Sequence, residues 1–429
     1  MEPHRKKIKI CVVTTNRSDY GRMKPIMEEM RRESGIELQV VAGTHLFFDY
    51  FFWYLRHGEP LSFWRSLPWF IKARLLALFN RDGTIEQKDQ LMRLLIHDGF
   101  PIHARLPLFL EGGNPRVMTK MVGFCLIGLP DIFQKLAPDI VLINGDRFEM
   151  LPIAFAAVSS NIFLAHIEGG DVSGTLDEST RHAITKLAHI HFPATEKSAE
   201  RIRRMGEPEE LIFTTGSPVI DALARLELSL DNSFFDRRGL PREGRIDLTQ
   251  PYLLILQHPV TTRYEKNKSD MEELIAAVRN MPVQKFFLSP NIDAGSDGVS
   301  FAIREYRAAK PRDAAFFKYF PLDDYYRLLA HAVVAVGNSS SFIREGAFLG
   351  TPAVIVGDRQ QGRERGRNAR DVVPERRKIA AAVREEMAHG PYPRDFLFGD
   401  GASSRRIVAI LRNLDFSTLS LQKKFAEGG

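Results

Sequence analysis

Cysteine is scarce: the 429 residues hold two, Cys11 and Cys125, each inside an apolar run and with no CxxC pair. This argues against a disulfide framework and for buried free thiols in a reducing cytoplasm. Also missing are GxGxxG and GK[ST], which disfavours a standard dinucleotide or Walker phosphate loop. There is no low-complexity tract and no repeat of fixed period. No aromatic-plus-basic RNA motif or DNA-reading helix pattern stands out, so nucleic acid is not an expected partner. The apolar run behind Arg5-Lys6-Lys7 is short, Ile8–Val13, and reads as a first strand instead of a signal peptide.

What remains is an ordinary globular composition, 44% apolar and 26% charged, on a chain long enough for two cores. A net charge of +6 and a pI near 9.2 suit an anionic substrate such as a nucleotide. Strand-like runs alternate with helix-like ones: Ile8–Thr15, Glu37–Ala42, Ile140–Ile143, Ile162–Ala165, His191–Pro193 and Ile212–Thr214. A second series follows at Tyr252–Leu256, Lys285–Leu288, Val333–Val336 and Ala353–Val356. The expected fold is therefore α/β, two Rossmann-like domains with parallel sheets and the active site in the cleft between them. The boundaries read 1–215 for the first domain, 216–250 for a charged connection, 251–400 for the second and 401–429 for a final helix and tail.

One segment breaks this rhythm. Phe47–Asn80 is aromatic and basic and carries all three tryptophans, with Arg65, Lys72 and Arg74 interrupting its apolar positions, so it offers no clean span of membrane length. A helical pair covering a subunit or domain face is one reading, peripheral docking on a membrane the other.

Charged residues gather where strands end. Gly145-Asp146-Arg147-Phe148-Glu149 follows one apolar run, and His166-Ile167-Glu168-Gly169-Gly170-Asp171 follows the next. Successive parallel strands point the same way, so both loops sit at the carboxyl end of the sheet, where open α/β sheets bind ligands. Asp146 and Glu168 form a candidate pair for proton transfer, with pKa values expected to be shifted by desolvation and mutual repulsion. The alternative is helix capping or pairing with Arg147. Thr175 and Glu178 match a capping box, so Asp177 serves either the helix dipole or the chemistry. His166 and Glu168, two apart, are expected on one face of an extended chain, and no spacing completes a metal site.

The loop Thr14–Arg22 is expected to open a helix near Met23-Lys24-Pro25, with Arg17 either a surface residue or a nucleotide contact. His258 ends the first strand of the second series, at the crevice edge or buried as a structural histidine. Gly337-Asn338-Ser339-Ser340-Ser341 at a helix start and Gly357-Asp358-Arg359-Gln360-Gln361-Gly362-Arg363 after the next strand read as a diphosphate site.

Taken together, the blocks NRSDYGRMKPIM (16–27), PDIVLINGDRFEMLPIA (138–154), HIEGGDVSGTLDESTRHAITKLAHIHF (166–192), PNIDAGSDG (290–298), GNSSSFIREGAFLGTP (337–352) and GDRQQGR (357–363) give a chain that strongly resembles the hydrolysing UDP-N-acetylglucosamine 2-epimerases of sialic acid biosynthesis. The departure is Phe47–Asn80, longer than the family pattern. The resemblance implies a GT-B-like fold, a homo-oligomer (dimer or tetramer), and a reaction needing neither nicotinamide nor metal; the free thiols keep the expected location cytoplasmic. UDP leaves with loss of the C2 proton to give 2-acetamidoglucal; water then adds at C1 and a proton returns to C2, releasing N-acetylmannosamine. By position, Asp146, Glu168 and Asp177 match the family's catalytic carboxylates. Arg17, Arg147, His258 and Asn291 match its nucleotide-sugar contacts, as do Ser339, Ser340, Glu345 and Arg359. Rival readings are a hydrolysing epimerase for a UDP-2,4-diacetamido-6-deoxy sugar or GDP-N-acetylglucosamine, a non-hydrolysing 2-epimerase, and a GT-B glycosyltransferase.

Overall fold

The computed structural model describes residues 7–45, 90–110, 114–237, 246–318 apart from 292 and 294, and 320–426. The segment 47–80 lies outside the described residues. Two six-stranded, wholly parallel sheets organise the described residues. The first contains β1 (Ile8–Thr14), β2 (Ile36–His45), β3 (Ala104–Phe109), β4 (Ile140–Asn144), β5 (Phe163–Ile167) and β6 (Ile190–Phe192), in the order β3-β2-β1-β4-β5-β6. The second contains β7 (Tyr252–Leu256), β8 (Gln284–Leu288), β9 (Ala314–Phe317), β10 (Val334–Gly337), β11 (Ala353–Val356) and β12 (Ala369–Val372), ordered β12-β11-β10-β7-β8-β9. Each is a doubly wound Rossmann sheet, and the strand order reverses between β1 and β4 in one and between β7 and β10 in the other.

Central strands are apolar on both faces because helices cover both. In β1, Ile10 and Val12 pack with Met23, Ile26 and Met27 on one side, whereas Cys11 and Val13 pack with Leu129 and Phe133 on the other. In β7, Leu254 and Leu256 join one core and Leu253 and Ile255 the opposite one. Cys11 and Cys125 are both free and buried.

Three strands escape the sequence reading: β3, β9 and β12. All are edge strands. Pro107 lies in β3 and the charged pair Arg370-Asp371 in β12, as an edge tolerates and a doubly covered strand does not. Conversely, Ile212–Thr214 is not a strand; Ile212 makes a single bridge to His191 before the chain turns away at Gly216. The first helix begins at Arg17, not near Met23. Asn16 caps it, its Oδ1 accepting the Asp19 N–H at 3.1 Å, while Asp19 Oδ2 accepts from Thr15 N–H at 2.9 Å. Pro25 therefore sits inside that helix.

The chain crosses between domains twice, and the crossings are stapled together. Ser217 N–H donates to the Phe398 carbonyl at 2.7 Å. Buried Asp221 accepts the N–H groups of Ser403 (3.0 Å) and Ser404 (2.5 Å), capping the helix Ser403–Asn413. That helix returns to the first domain, where Ile407, Val408 and Leu411 join the core beside Met23 and Met27.

Candidate active site

The loops that leave the two reversal points face each other across one cleft of about 1470 Å³. Every residue singled out above as catalytic or substrate-binding lines it. Asp146 and Arg147 follow β4, and Arg17 follows β1. Across the gap, His258 follows β7, and Ser339 and Ser340 follow β10.

The first-domain wall holds the acids. Asp146 accepts from the buried Arg181 guanidinium and lies 3.9 Å from Arg363 Nη2. Burial alone would raise its pKa, but these two arginines outweigh burial and hold the carboxyl far below the usual range. Glu168 has φ 61, a left-handed conformation that costs a residue with a β-carbon on the order of 1 kcal/mol. Its Oε1 accepts from the Ser217 hydroxyl, and its Oε2 lies 2.5 Å from Arg344 Nη1 and 3.6 Å from Arg22 Nη1. Here too burial would raise the carboxyl, but Arg344 and Arg22 reverse the shift and lower it to about 2.

Asp177 behaves in the opposite way. It sits in the first turn of the helix Leu176–Leu187, partly exposed to the cleft, 3.9 Å from Arg359 Nη2. Burial and the neighbouring charge of Asp146 raise its pKa above the ordinary value. The sequence expectation that Asp146 and Glu168 would be the raised pair is thus corrected. Each is pinned by arginines, and desolvation with repulsion prevails at Asp177 instead.

The second-domain wall is built for an anion. Ser339 is the N-cap of the helix Ser340–Leu349, its Oγ 3.4 Å from Ser341 N and 2.7 Å from Ser341 Oγ, so hydroxyls and helix N–H groups share one spot. Arg359 stands beside it, donating to the Asn338 carbonyl at 3.2 Å. Asn338 brackets the His258 backbone, accepting its N–H at 2.7 Å and donating to its carbonyl at 2.8 Å. His258 Nδ1 accepts the Asn291 N–H at 3.2 Å, which leaves the proton on Nε2. Burial, and then Arg359, lower this histidine to about 3, so it is a neutral donor. Glu345 is buried, and its Oε2 has no hydrogen-bond partner among the described residues; the same holds for Asn291 Oδ1. Arg147 bridges the domains, donating to Glu149 Oε1 at 2.7 Å and lying 3.4 Å from Asp293 Oδ1.

Two local expectations fail. Thr175 precedes the helix Leu176–Leu187, but its hydroxyl oxygen makes no hydrogen bond among the described residues; Glu178 Oε2 instead accepts from Ser173 N–H at 2.7 Å. His166 and Glu168 do not share a face, because the left-handed turn at Glu168 ends the alternation. His166 is wholly buried, its Nε2 2.8 Å from the Gly145 carbonyl and its Nδ1 3.1 Å from Thr185 Oγ1, tying one acid-bearing loop to the next strand. Residues whose roles sequence reasoning missed are Arg22, Ser217, Asp293 and above all Arg344 and Arg363. Arg363 Nε lies 2.9 Å from Asp171 Oδ2 across the domain boundary. Both arginines stood inside motifs already noticed, but their targets are remote in sequence.

A model of the UDP-N-acetylglucosamine 2-epimerase family matches residues 84–412. The chain belongs to that family. It is 32% identical to a Legionella pneumophila protein named UDP-N,N'-diacetylbacillosamine 2-epimerase (hydrolyzing), covering 97% of this chain and 98% of the relative. It is 28% identical to UDP-N-acetylglucosamine 2-epimerase of Neisseria meningitidis, over 98% and 99% of the two chains. The crystal structure of the UDP-GlcNAc 2-epimerase from Neisseria meningitidis bound to UDP-GlcNAc superposes with a TM-score of 0.70, covering 94% of this chain and 99% of the other at 16% identity. That likeness establishes the GT-B-like, two-domain fold of this family member.

Proposed function

We propose that this epimerase-family member hydrolyses UDP-N-acetylglucosamine, releasing N-acetylmannosamine and UDP, as in sialic acid biosynthesis. The observation that carries the reading is one cleft in which Asp146, Glu168 and Asp177 of one domain face Arg359 and the Ser339–Ser340 helix terminus of the other. The diphosphate rests on those hydroxyls, N–H groups and Arg359, and the free oxygen of Glu345 accepts from the ribose hydroxyls. His258 donates through Nε2, and Arg17, Arg147 and Asn291 complete the contacts.

In the first half-reaction a carboxylate takes the C2 proton, the C1–O bond breaks, and the electron pair leaves with UDP. The arginine-rich wall stabilises the departing diphosphate. In the second, water adds its oxygen to C1 of the 2-acetamidoglucal while a proton is returned to C2 from the opposite face. Asp177, whose pKa burial and the charge of Asp146 raise, is the acid of the three best suited to giving up and regaining a proton. Asp146 and Glu168 stay ionised and favour positive character at C1. The same reading carries a cytoplasmic homo-oligomer, supported by the buried free thiols and by the exposed apolar Ile127 and Phe155 on the first domain.

A second substrate has a specific observation in its favour: the Legionella relative's name points to a UDP-2,4-diacetamido-6-deoxy sugar. Purified protein incubated separately with the two sugar nucleotides, with UDP and free sugar measured by chromatography, tests both. Free N-acetylmannosamine with UDP supports the first reading, and turnover of the diacetamido sugar alone supports the second. UDP-N-acetylmannosamine as product contradicts hydrolysis.

A further inference from the structure

Glu168 is held from outside its own strand. Its backbone is left-handed, and its N–H donates to the Phe192 carbonyl at 2.9 Å. Beyond that, its position depends on what grips the carboxylate. The charged groups facing it are Arg22 of the helix Arg17–Arg32 and Arg344 of the helix Ser340–Leu349, with the Ser217 hydroxyl at the head of the helix Pro218–Ala224. Arg344 makes the short contact, 2.5 Å, and both partners are almost fully buried.

Arg344 also sits on the helix whose first residue belongs to the hydroxyl cradle, one turn further along. Its Nε, without a hydrogen-bond partner among the described residues, lies 4.0 Å from Oε2 of Glu345, which is equally unpartnered. One rigid helix therefore joins the phosphate cradle, Glu345 and the guanidinium that reaches across to Glu168.

The geometry points to Arg344 as a positioning residue: from the second domain it holds the Glu168 carboxylate charged and in place, so that this acid is assembled only when the two domains are together. The inference rests on the 2-epimerase reading for the role of Glu168. It does not require Arg344 to touch the substrate. Without Arg344, Arg22 at 3.6 Å is the remaining cation in reach among the described residues, and burial then works against ionisation. The Glu168 carboxyl accordingly titrates at higher pH and kcat falls, while nucleotide affinity stays.

The test uses the full chain with Arg344→Met and Arg344→Lys, reading kcat, KM, UDP affinity and the titration of the Glu168 carboxyl. Expected for Arg344→Met are a kcat lower by about ten-fold, UDP affinity within about two-fold of the parent, and a Glu168 titration midpoint displaced upward by about one pH unit. Arg344→Lys restores part of kcat. In a Glu168→Gln background, Arg344→Met has no further effect on kcat.

Unchanged kcat overturns the proposal, as does a loss of UDP affinity parallel to the loss of kcat, which would make Arg344 a nucleotide contact. A substrate-free readout covers the remaining cases: the ¹³C carboxyl titration of Glu168, identified by its loss in Glu168→Gln. A midpoint that rises in Arg344→Met, or in Arg344→Lys where the methionine variant does not fold, supports the pairing; an unmoved midpoint overturns it. If the parent protein releases UDP from no sugar nucleotide, the functional reading fails, and this titration still decides the Arg344–Glu168 relationship.

Discussion

The charge on Asp146 opposes ionisation of Asp177. The two acids lie on adjacent first-domain elements of one cleft, and after burial Asp146 is the largest influence raising Asp177. Replacing Asp146 with asparagine removes that repulsion and leaves Arg181 and Arg363 without their shared partner. The Asp177 carboxyl is expected to titrate lower in Asp146→Asn than in the parent. A ¹³C carboxyl titration checks this; an unchanged or higher midpoint contradicts the coupling.

His258 is expected to bind substrate as a neutral donor throughout the working range. Its depressed pKa, about 3, and the Asn291 N–H on Nδ1 leave Nε2–H facing the cleft at every pH above roughly 4. log KM for the sugar nucleotide should therefore show no histidine inflection near pH 6.5. His258→Asn should raise KM by about ten-fold, the order of one lost hydrogen bond, with kcat nearly preserved. Steady-state kinetics from about pH 5.5 to 8 decides, and an inflection near 6.5 that vanishes in the variant contradicts the assignment.

Gly174 is where the domains touch backbone to backbone. Its N–H donates to the Arg359 carbonyl at 3.1 Å, and a β-carbon built on it would stand 2.0 Å from the Asp358 carbonyl oxygen. No side chain can swing away to relieve that contact. Gly174→Ala must separate the two loops and with them Asp177 from Arg359, so kcat/KM should fall by about ten-fold or more, as misplacement by an ångström does. Circular dichroism should stay native. Parent-like kcat/KM would show that this approach does not matter to the site.

Much of this layout was readable beforehand, because buried parallel strands are continuous apolar runs and their ends carry the loops that matter. β4, β7 and β11 fall where the pattern puts them. Edge strands such as β12 are covered on fewer sides and lose the apolar signature. Asp146, His258 and Ser339 were accessible as strand-end residues. Which acid would be shifted upward was not, since this depends on Arg344 and Arg363 folding in from well over a hundred residues away.

Acid should loosen the first domain through Glu207. This buried carboxylate is met by Lys186 Nζ at 2.6 Å, Lys423 Nζ at 2.6 Å and His191 Nε2 at 3.1 Å, fastening the C-terminal tail. Burial would raise it, but these partners lower its pKa from 4.5 to about 2. A depressed acid stabilises the fold above its unfolded value, and the benefit disappears as pH falls from 4.5 toward 2. The amount at stake is on the order of 2–3 kcal/mol. His191, lowered by burial, adds to the loss when it must protonate. Urea unfolding at about pH 7 and pH 3 should show a smaller acid loss for Glu207→Gln than for the parent; equal losses contradict the account.

The most direct test of a hydrolysing 2-epimerase follows the hydrogen at C2. Incubation of the full chain with UDP-N-acetylglucosamine in deuterium oxide, followed by proton NMR and mass spectrometry of the sugar, reports bond breaking and product together. The account predicts free N-acetylmannosamine carrying one deuterium at C2, alongside UDP. A released sugar that keeps its original C2 hydrogen, or a sugar still joined to UDP, would contradict it.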